Sequence, residues 1–300
     1  MNRRVSRLDS RHEDSAGGTI STRRLRFVEL AVILGIIAGS LSWQASPANS
    51  ASAATLGSCK TTVSRVAHGY GAPDDLAILG GKVVFGDIKA GVVARIDGGR
   101  VTVLVRHLNV PEGIAVLDEH DIVVVEQGYN RLDTINLSTG SRRVLLRLTN
   151  NTGQEGVDSI TRIGSSLIIP NSPYGTVLRY HAGHLTTLAT GMSRPTSAVA
   201  YGGGLAVADE NANAVWLVKR GHVPRLASVP TPDDVAVVNG MLVAVTLGDG
   251  KLWEIRPRQR VLAAGFNQPQ GLVTTGRRSV AIAASDQNAI FRVSIGRLCW

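Results

Sequence analysis

Ala72-Pro73-Asp74-Asp75-Leu76-Ala77 and Thr231-Pro232-Asp233-Asp234-Val235-Ala236 are nearly the same turn written twice in one chain. Four further copies fall between and beyond them. They are Val110-Pro111-Glu112-Gly113-Ile114-Ala115, Gly153-Gln154-Glu155-Gly156-Val157-Asp158, Arg194-Pro195-Thr196-Ser197-Ala198-Val199 and Gln268-Pro269-Gln270-Gly271-Leu272-Val273. The third alone lacks the proline. Starts at 73, 111, 154, 195, 232 and 269 leave 37 to 43 residues per copy, room for four short strands and their turns. A period of this size marks a radial repeat in which each unit buries its apolar faces against its neighbours.

Inside each copy, β-rich stretches such as Lys82-Val83-Val84-Phe85-Gly86-Asp87 and Asp121-Ile122-Val123-Val124-Val125-Glu126 alternate with glycine-containing turns. Asp97-Gly98-Gly99 and Ser138-Thr139-Gly140 have the composition of hairpin turns. No sustained 3.6-residue apolar period follows residue 54, so the fold class is all-β: a six-bladed β-propeller of four-stranded blades. The sixth copy ends at Trp300 with no room for a fourth strand. The N-terminal Lys60-Thr61-Thr62-Val63-Ser64-Arg65-Val66 is expected to supply it and cover the sheet edges an open ring would expose.

Residues 1–54 read as an export leader. Seven arginines precede an apolar run over 27–43, and the small residues Ala51-Ser52-Ala53-Ala54 make a signal-peptidase site. An uncleaved membrane anchor is the other reading of the same run. Both place the propeller, residues 55–300, outside the cytoplasm, secreted or tethered, with the membrane met only through the leader. Without the leader the formal charge falls from +9 to +6, carried by arginines scattered singly along the chain. That pattern argues against nucleic-acid binding. The only cysteines, Cys59 and Cys299, sit at opposite ends of the domain and are expected to pair, closing the ring.

The Pro-Asp/Glu-Gly/Asp-aliphatic-Ala turn, followed about fourteen residues later by a strand ending in Asp, Glu or Asn, resembles the NHL repeat and the SMP-30/gluconolactonase propellers. The resemblance covers essentially all of 60–300. That superfamily contains lactonases, esterases, lyases and binding proteins. In its lactonase branch a Glu, an Asn and an Asp hold one divalent cation, commonly calcium, in the central channel. By position the resemblance implies Glu155, Asn171 and Asp209 as that set, with Glu112, Asp158 and Asp234 as further candidates. This chain departs from the lactonase opening, because Glu112-Gly113 and Glu155-Gly156 are followed by Ile114 and Val157.

Blade-start and strand-end acids should converge near one mouth of the channel. They can form a cation site or polar pocket, or can cap backbone amides wherever the blade recurs. Glu155, Asp158 and Asn171 stand out because they belong to the copy that breaks the pattern. The histidines form no ligand set, and no Gly-x-Ser-x-Gly turn activates a serine. The function expected is binding of a small polar ligand or a protein partner at the channel mouth by a monomer. A calcium-dependent lactonase or ester hydrolase is the alternative, no organic cofactor is implied, and the sequence leaves catalysis open.

Overall fold

The computed structural model describes residues 59–299, which fall within the compact unit Thr55–Trp300. The leader lies outside the described residues. Six four-stranded antiparallel sheets make up the fold. Five are continuous in sequence. The sixth takes three strands from the C-terminal end, Pro269–Gly276, Ser279–Ala284 and Ala289–Ile295, and its fourth from Thr61–His68. Thr61 pairs with Ile295 and His68 with Ala289, so the N-terminal strand completes the last blade as the repeat length required.

Burial explains which strand takes which place. The second strand of each blade is packed on both faces, so its middle positions are apolar, and Met241–Thr246 and Ser279–Ala284 are buried at every position. The outermost strands, such as His184–Ala189, face solvent and carry polar side chains. Between each blade and the next lies one apolar cluster, and there are six. One joins Leu76 and Phe85 of blade 1 to Ala281, Ala283 and Ile290 of blade 6, so the ring is closed by packing as well as by strand exchange. Alanine and valine dominate these layers, which is how blades with 4% aromatic residues stack closely.

Cys59 and Cys299 form a disulfide across 240 residues. Cys299 is wholly buried in the cluster between blades 5 and 6, with Cys59 against it. Such bonds persist in oxidising compartments, which points to an extracellular location. Among the described residues no helix is long and apolar enough to cross a membrane.

The third copy of the turn lies three residues later than the sequence suggested. Glycine positions locate it: a side chain at Gly271 would strike Asp74 and Asp75 of the next blade, and one at Gly113 would strike Ser159 and Ile160. Val157-Asp158-Ser159-Ile160 therefore corresponds to Pro73-Asp74-Asp75-Leu76, and the extra residues sit in the connection between blades 2 and 3. Val157 takes the proline's place because its N–H, which proline lacks, donates to Asn130 Oδ1 at 3.0 Å.

Candidate functional site

Every innermost strand starts at the same end of the channel, the mouth, with the residue after the proline (or Val157) outermost. Three of these starts are held by a pre-proline residue in the left-handed region: Val110, Thr231 and Gln268 have φ of 53°, 38° and 49°. Each uses its carbonyl to accept an N–H from the residue after a second strand, Gln127, Leu247 or Ser285. That repeated turn costs local strain in β-branched Val110 and Thr231 and fixes the direction of the acids that follow.

Two layers of side chains result. Asp75 and Asp234 form the deeper one and are structural. Asp234 accepts N–H bonds from Val235 at 2.7 Å and from Leu272 of the next blade at 2.6 Å, together with the Ser197 hydroxyl. Asp75 accepts from Leu76 at 2.7 Å and from Ile114 of blade 2 at 2.9 Å. The inner strands have open edges toward the channel, and these carboxyls satisfy amides that would otherwise be orphaned. Gly113 and Gly271 let the inner strand of the following blade, at Ser159-Ile160 and Asp74-Asp75, approach closely. Replacing Asp234 by alanine should therefore lower stability by about 3 kcal/mol, since two buried amides lose their acceptor. Urea unfolding of Asp234→Ala beside Asp234→Asn measures it, and an alanine variant as stable as wild type would contradict the assignment.

Above this layer, toward the mouth, stand Asp74, Glu112, Asp158 and Asp233, with Thr196 and Gln270 completing the six positions. Gln127 reaches in from a neighbouring turn and donates its amide to both Glu112 and Asp158, the latter at 2.6 Å. Asp158 also accepts the Ser172 hydroxyl at 3.1 Å. Among the described residues one cation touches the group: Arg194, whose guanidinium contacts Asp158 at 3.1 Å, Glu155 at 3.0 Å and Glu210 at 2.5 Å. Asp74 and Asp233 have no ion-pair partner among the described residues.

The electrostatic consequence follows from burial and mutual repulsion. Asp74 is pushed up to about 8 by burial and then by the charge of Asp158. Asp234 rises to about 7 through burial, partly offset by its hydrogen bonds from Ser197, Leu272 and Val235. Asp158 rises to about 6, again through burial, held down by Arg194. Burial, with neighbouring carboxylates behind it, drives Asp75, Glu112 and Asp233 well above the usual carboxylate range. On the far side of Asp75 and Asp234 the channel holds a cavity of about 360 Å³ lined by Leu76, Ile114, Ile160, Val235 and Leu272.

The residues implied by the resemblance are placed differently from one another. Asp158, Glu112 and Asp234 lie in the channel, together with Asp74 and Asp233. Glu155 is at the rim, with its side chain 70% exposed, tied to Arg194. Asp209 is fully buried at the end of a second strand and committed to the backbone: it accepts from Ser193 and Arg194 amides at 2.9 and 2.8 Å and from the Trp216 indole at 3.0 Å. Asp87 caps Ala72 and Ala90 in the same way, and Glu126 caps Asn109. Strand-end acids thus recur because each blade needs the same cap. Asn171, where the shifted third turn supplies no amide, keeps a buried Oδ1 without a partner.

Among the described residues no three His, Cys, Asp or Glu side chains are close enough to share a metal ion. Of the set the resemblance implies, Glu155 is paired with Arg194 and Asp209 is spent on the Ser193 and Arg194 amides and the Trp216 indole. Reading the sequence missed Arg194, Gln127 and the outer-layer roles of Asp74 and Asp233. The adjacent pairs Asp74-Asp75 and Asp233-Asp234 carried the signal for the last two, because neighbouring residues on a strand point apart.

No family model matches the chain, and no curated protein matches it in sequence. Solved structures do match in shape. A gluconolactonase from Xanthomonas campestris superposes with a TM-score of 0.67 at 15% identity, covering 83% of this chain and 94% of that one. A virginiamycin B lyase from Staphylococcus aureus gives 0.62 at 15% identity, with 79% and 99% covered. The PQQ-bound aldose sugar dehydrogenase of Streptomyces coelicolor gives 0.68 at 14% identity, with 79% and 99% covered. The chain shares the six-bladed β-propeller fold of the gluconolactonase-like and virginiamycin B lyase proteins.

Proposed function

We propose that the protein is an extracytoplasmic binding propeller that takes a small organic cation at the channel mouth. The observation that carries this reading is the imbalance there: among the described residues, of Asp74, Glu112, Asp158 and Asp233 only Asp158 meets a guanidinium, that of Arg194, which is already shared with Glu155 and Glu210. Buried carboxyls in that state either hold protons or meet a positive ligand. Because the acids surround the mouth without gathering at one point, a ligand with two or more separated ammonium groups matches them better than a single metal ion.

Spermidine is the probe. At pH 8 it should raise the melting temperature and bind with release of protons. At pH 5, where the carboxyls are protonated, binding should be weak. Asp74→Asn with Asp233→Asn should abolish the effect. Equal stabilisation by an uncharged triol of similar length would contradict the reading.

Lactone hydrolysis is a second reading, favoured by one feature. Glu112 and Asp158 meet on one amide, that of Gln127, and two carboxyls so placed are suited to general acid and base roles. Turnover of a lactone panel, lost in Glu112→Gln, would support it. No turnover of any member would dismiss it.

A further inference from the structure

In blades 4 to 6 the two ends of the ring carry opposite charge; the exposed base acids Asp118 and Glu119 belong to blade 2. The inner strands begin at the acidic mouth, so the turn that follows each lies at the other end, the base. In blades 4 to 6 the base turns at 219–222, 257–259 and 277–278, and the segment after Ile295, contain no acidic residue. Glu254, on the strand leading into the second of these turns, is fully buried and committed to Arg258 and Arg260. Arg277, Arg278, Arg292 and Arg297, dispersed in sequence, are brought together around an open groove of about 510 Å³. Three of them also line an adjoining groove of about 320 Å³ with Asn239. Among the described residues none of the four meets a carboxylate, and Arg292 donates only to the Ser279 hydroxyl, at 3.3 Å. Unpaired guanidiniums converging on open grooves are matched to phosphate oxygens.

The path of the chain says which phosphates. Thr61 pairs with Ile295, and the Gly296 amide donates to the Lys60 carbonyl at 2.9 Å, so the polypeptide enters the ring at the base, beside Arg297. The apolar run over 27–43 is joined to Cys59 by fifteen residues, a reach of about 50 Å at most when extended. The segment that precedes Cys59 therefore joins the propeller at the base of blade 6.

We propose that the base of blades 5 and 6 docks on an anionic phospholipid surface, Arg277, Arg278, Arg292 and Arg297 receiving the headgroup phosphates and the acidic mouth facing away. The attraction is electrostatic and short-ranged, and the gathering of the four arginines at one end of the ring fixes the orientation. The site is separate from the mouth and does not depend on what binds there.

Sedimentation of residues 55–300, disulfide intact, with vesicles tests it. Partition onto vesicles with about 30% phosphatidylglycerol should be strong in dilute buffer and lost in about 0.5 M salt. The triple variant Arg277→Gln, Arg278→Gln, Arg297→Gln should bind about 100-fold more weakly, at roughly fivefold per residue. Its near-UV circular dichroism should match wild type, showing that the fold is kept. Arg179→Gln, an exposed arginine on blade 3, should leave partition nearly unchanged. Equal binding to pure phosphatidylcholine, no binding to the anionic vesicles, or an unweakened triple variant would overturn the proposal. Displacement from vesicles by millimolar inorganic phosphate would do so too, by showing a small-anion pocket in place of a docking face.

Discussion

Changing both Cys59 and Cys299 to serine should lower the free energy of unfolding by about 5 kcal/mol, seen as a melting temperature lower by about 10–20 °C. The disulfide closes a loop of 240 residues, and in the chain-entropy account the benefit of a crosslink grows with the loop it closes. Its position adds to this. The strand Thr61–His68 is held by one neighbour, Ala289–Ile295, and its outward residues are largely exposed, so this edge is where the ring is most easily opened. Urea unfolding with and without reductant measures the effect. A loss below about 1 kcal/mol would mean that packing between blades 6 and 1 closes the ring by itself.

The second large effect concerns pH. Ligand-free protein should be most stable near pH 5 and become steadily less stable toward pH 8, by several kcal/mol on the order-of-magnitude scale of one or more raised carboxyls. A carboxyl raised in the folded state holds a proton that the unfolded chain has already released at pH near 4. Its stabilising contribution is complete below the unfolded value and is lost as pH passes through the folded one. Asp158, Asp234 and Asp74 place those losses at about 6, 7 and 8. Asp97 and Asp118, whose values are lowered, are exposed surface groups and work in the opposite direction only weakly. Melting curves from pH 5 to 8 give the sign. Spermidine should flatten the slope, because a bound cation favours the ionised carboxyls.

How much of this was legible in the residues depends on whether each feature repeats. Six copies of one turn made the blade count, the closing strand and the paired cysteines readable, since each follows from the spacing of short local signals. The third turn was misplaced because its proline, the anchor of the pattern, is exchanged for Val157, whose N–H bonds to Asn130 far along the chain. Register set by a distant side chain leaves no local mark.

Site residues were harder for a related reason. Glu155 and Asp158 looked alike in sequence, yet one sits exposed at the rim and the other inside the channel, three positions apart. Asp209 resembled a ligand and proved to be a cap, as did Asp87 and Glu126, because the same turn needs the same acceptor in every blade. Arg194 belongs to the blade-start pattern only as the residue before a proline, and nothing in its neighbours announces that its guanidinium reaches three acids from two segments of the chain. Charge at the base was hidden by dispersal: arginines scattered along the sequence become one surface only when turns of successive strands are stacked at one end.

The central claim is that the mouth holds carboxyl groups in excess of the cations available to them. Infrared absorption of protonated carboxyl groups in the ligand-free protein at pH 7 tests it most directly. The account predicts a clear protonated-acid band at that pH, diminished in Asp74→Asn and diminished again when spermidine is added. A spectrum in which every carboxyl is already ionised by pH 5 would contradict it.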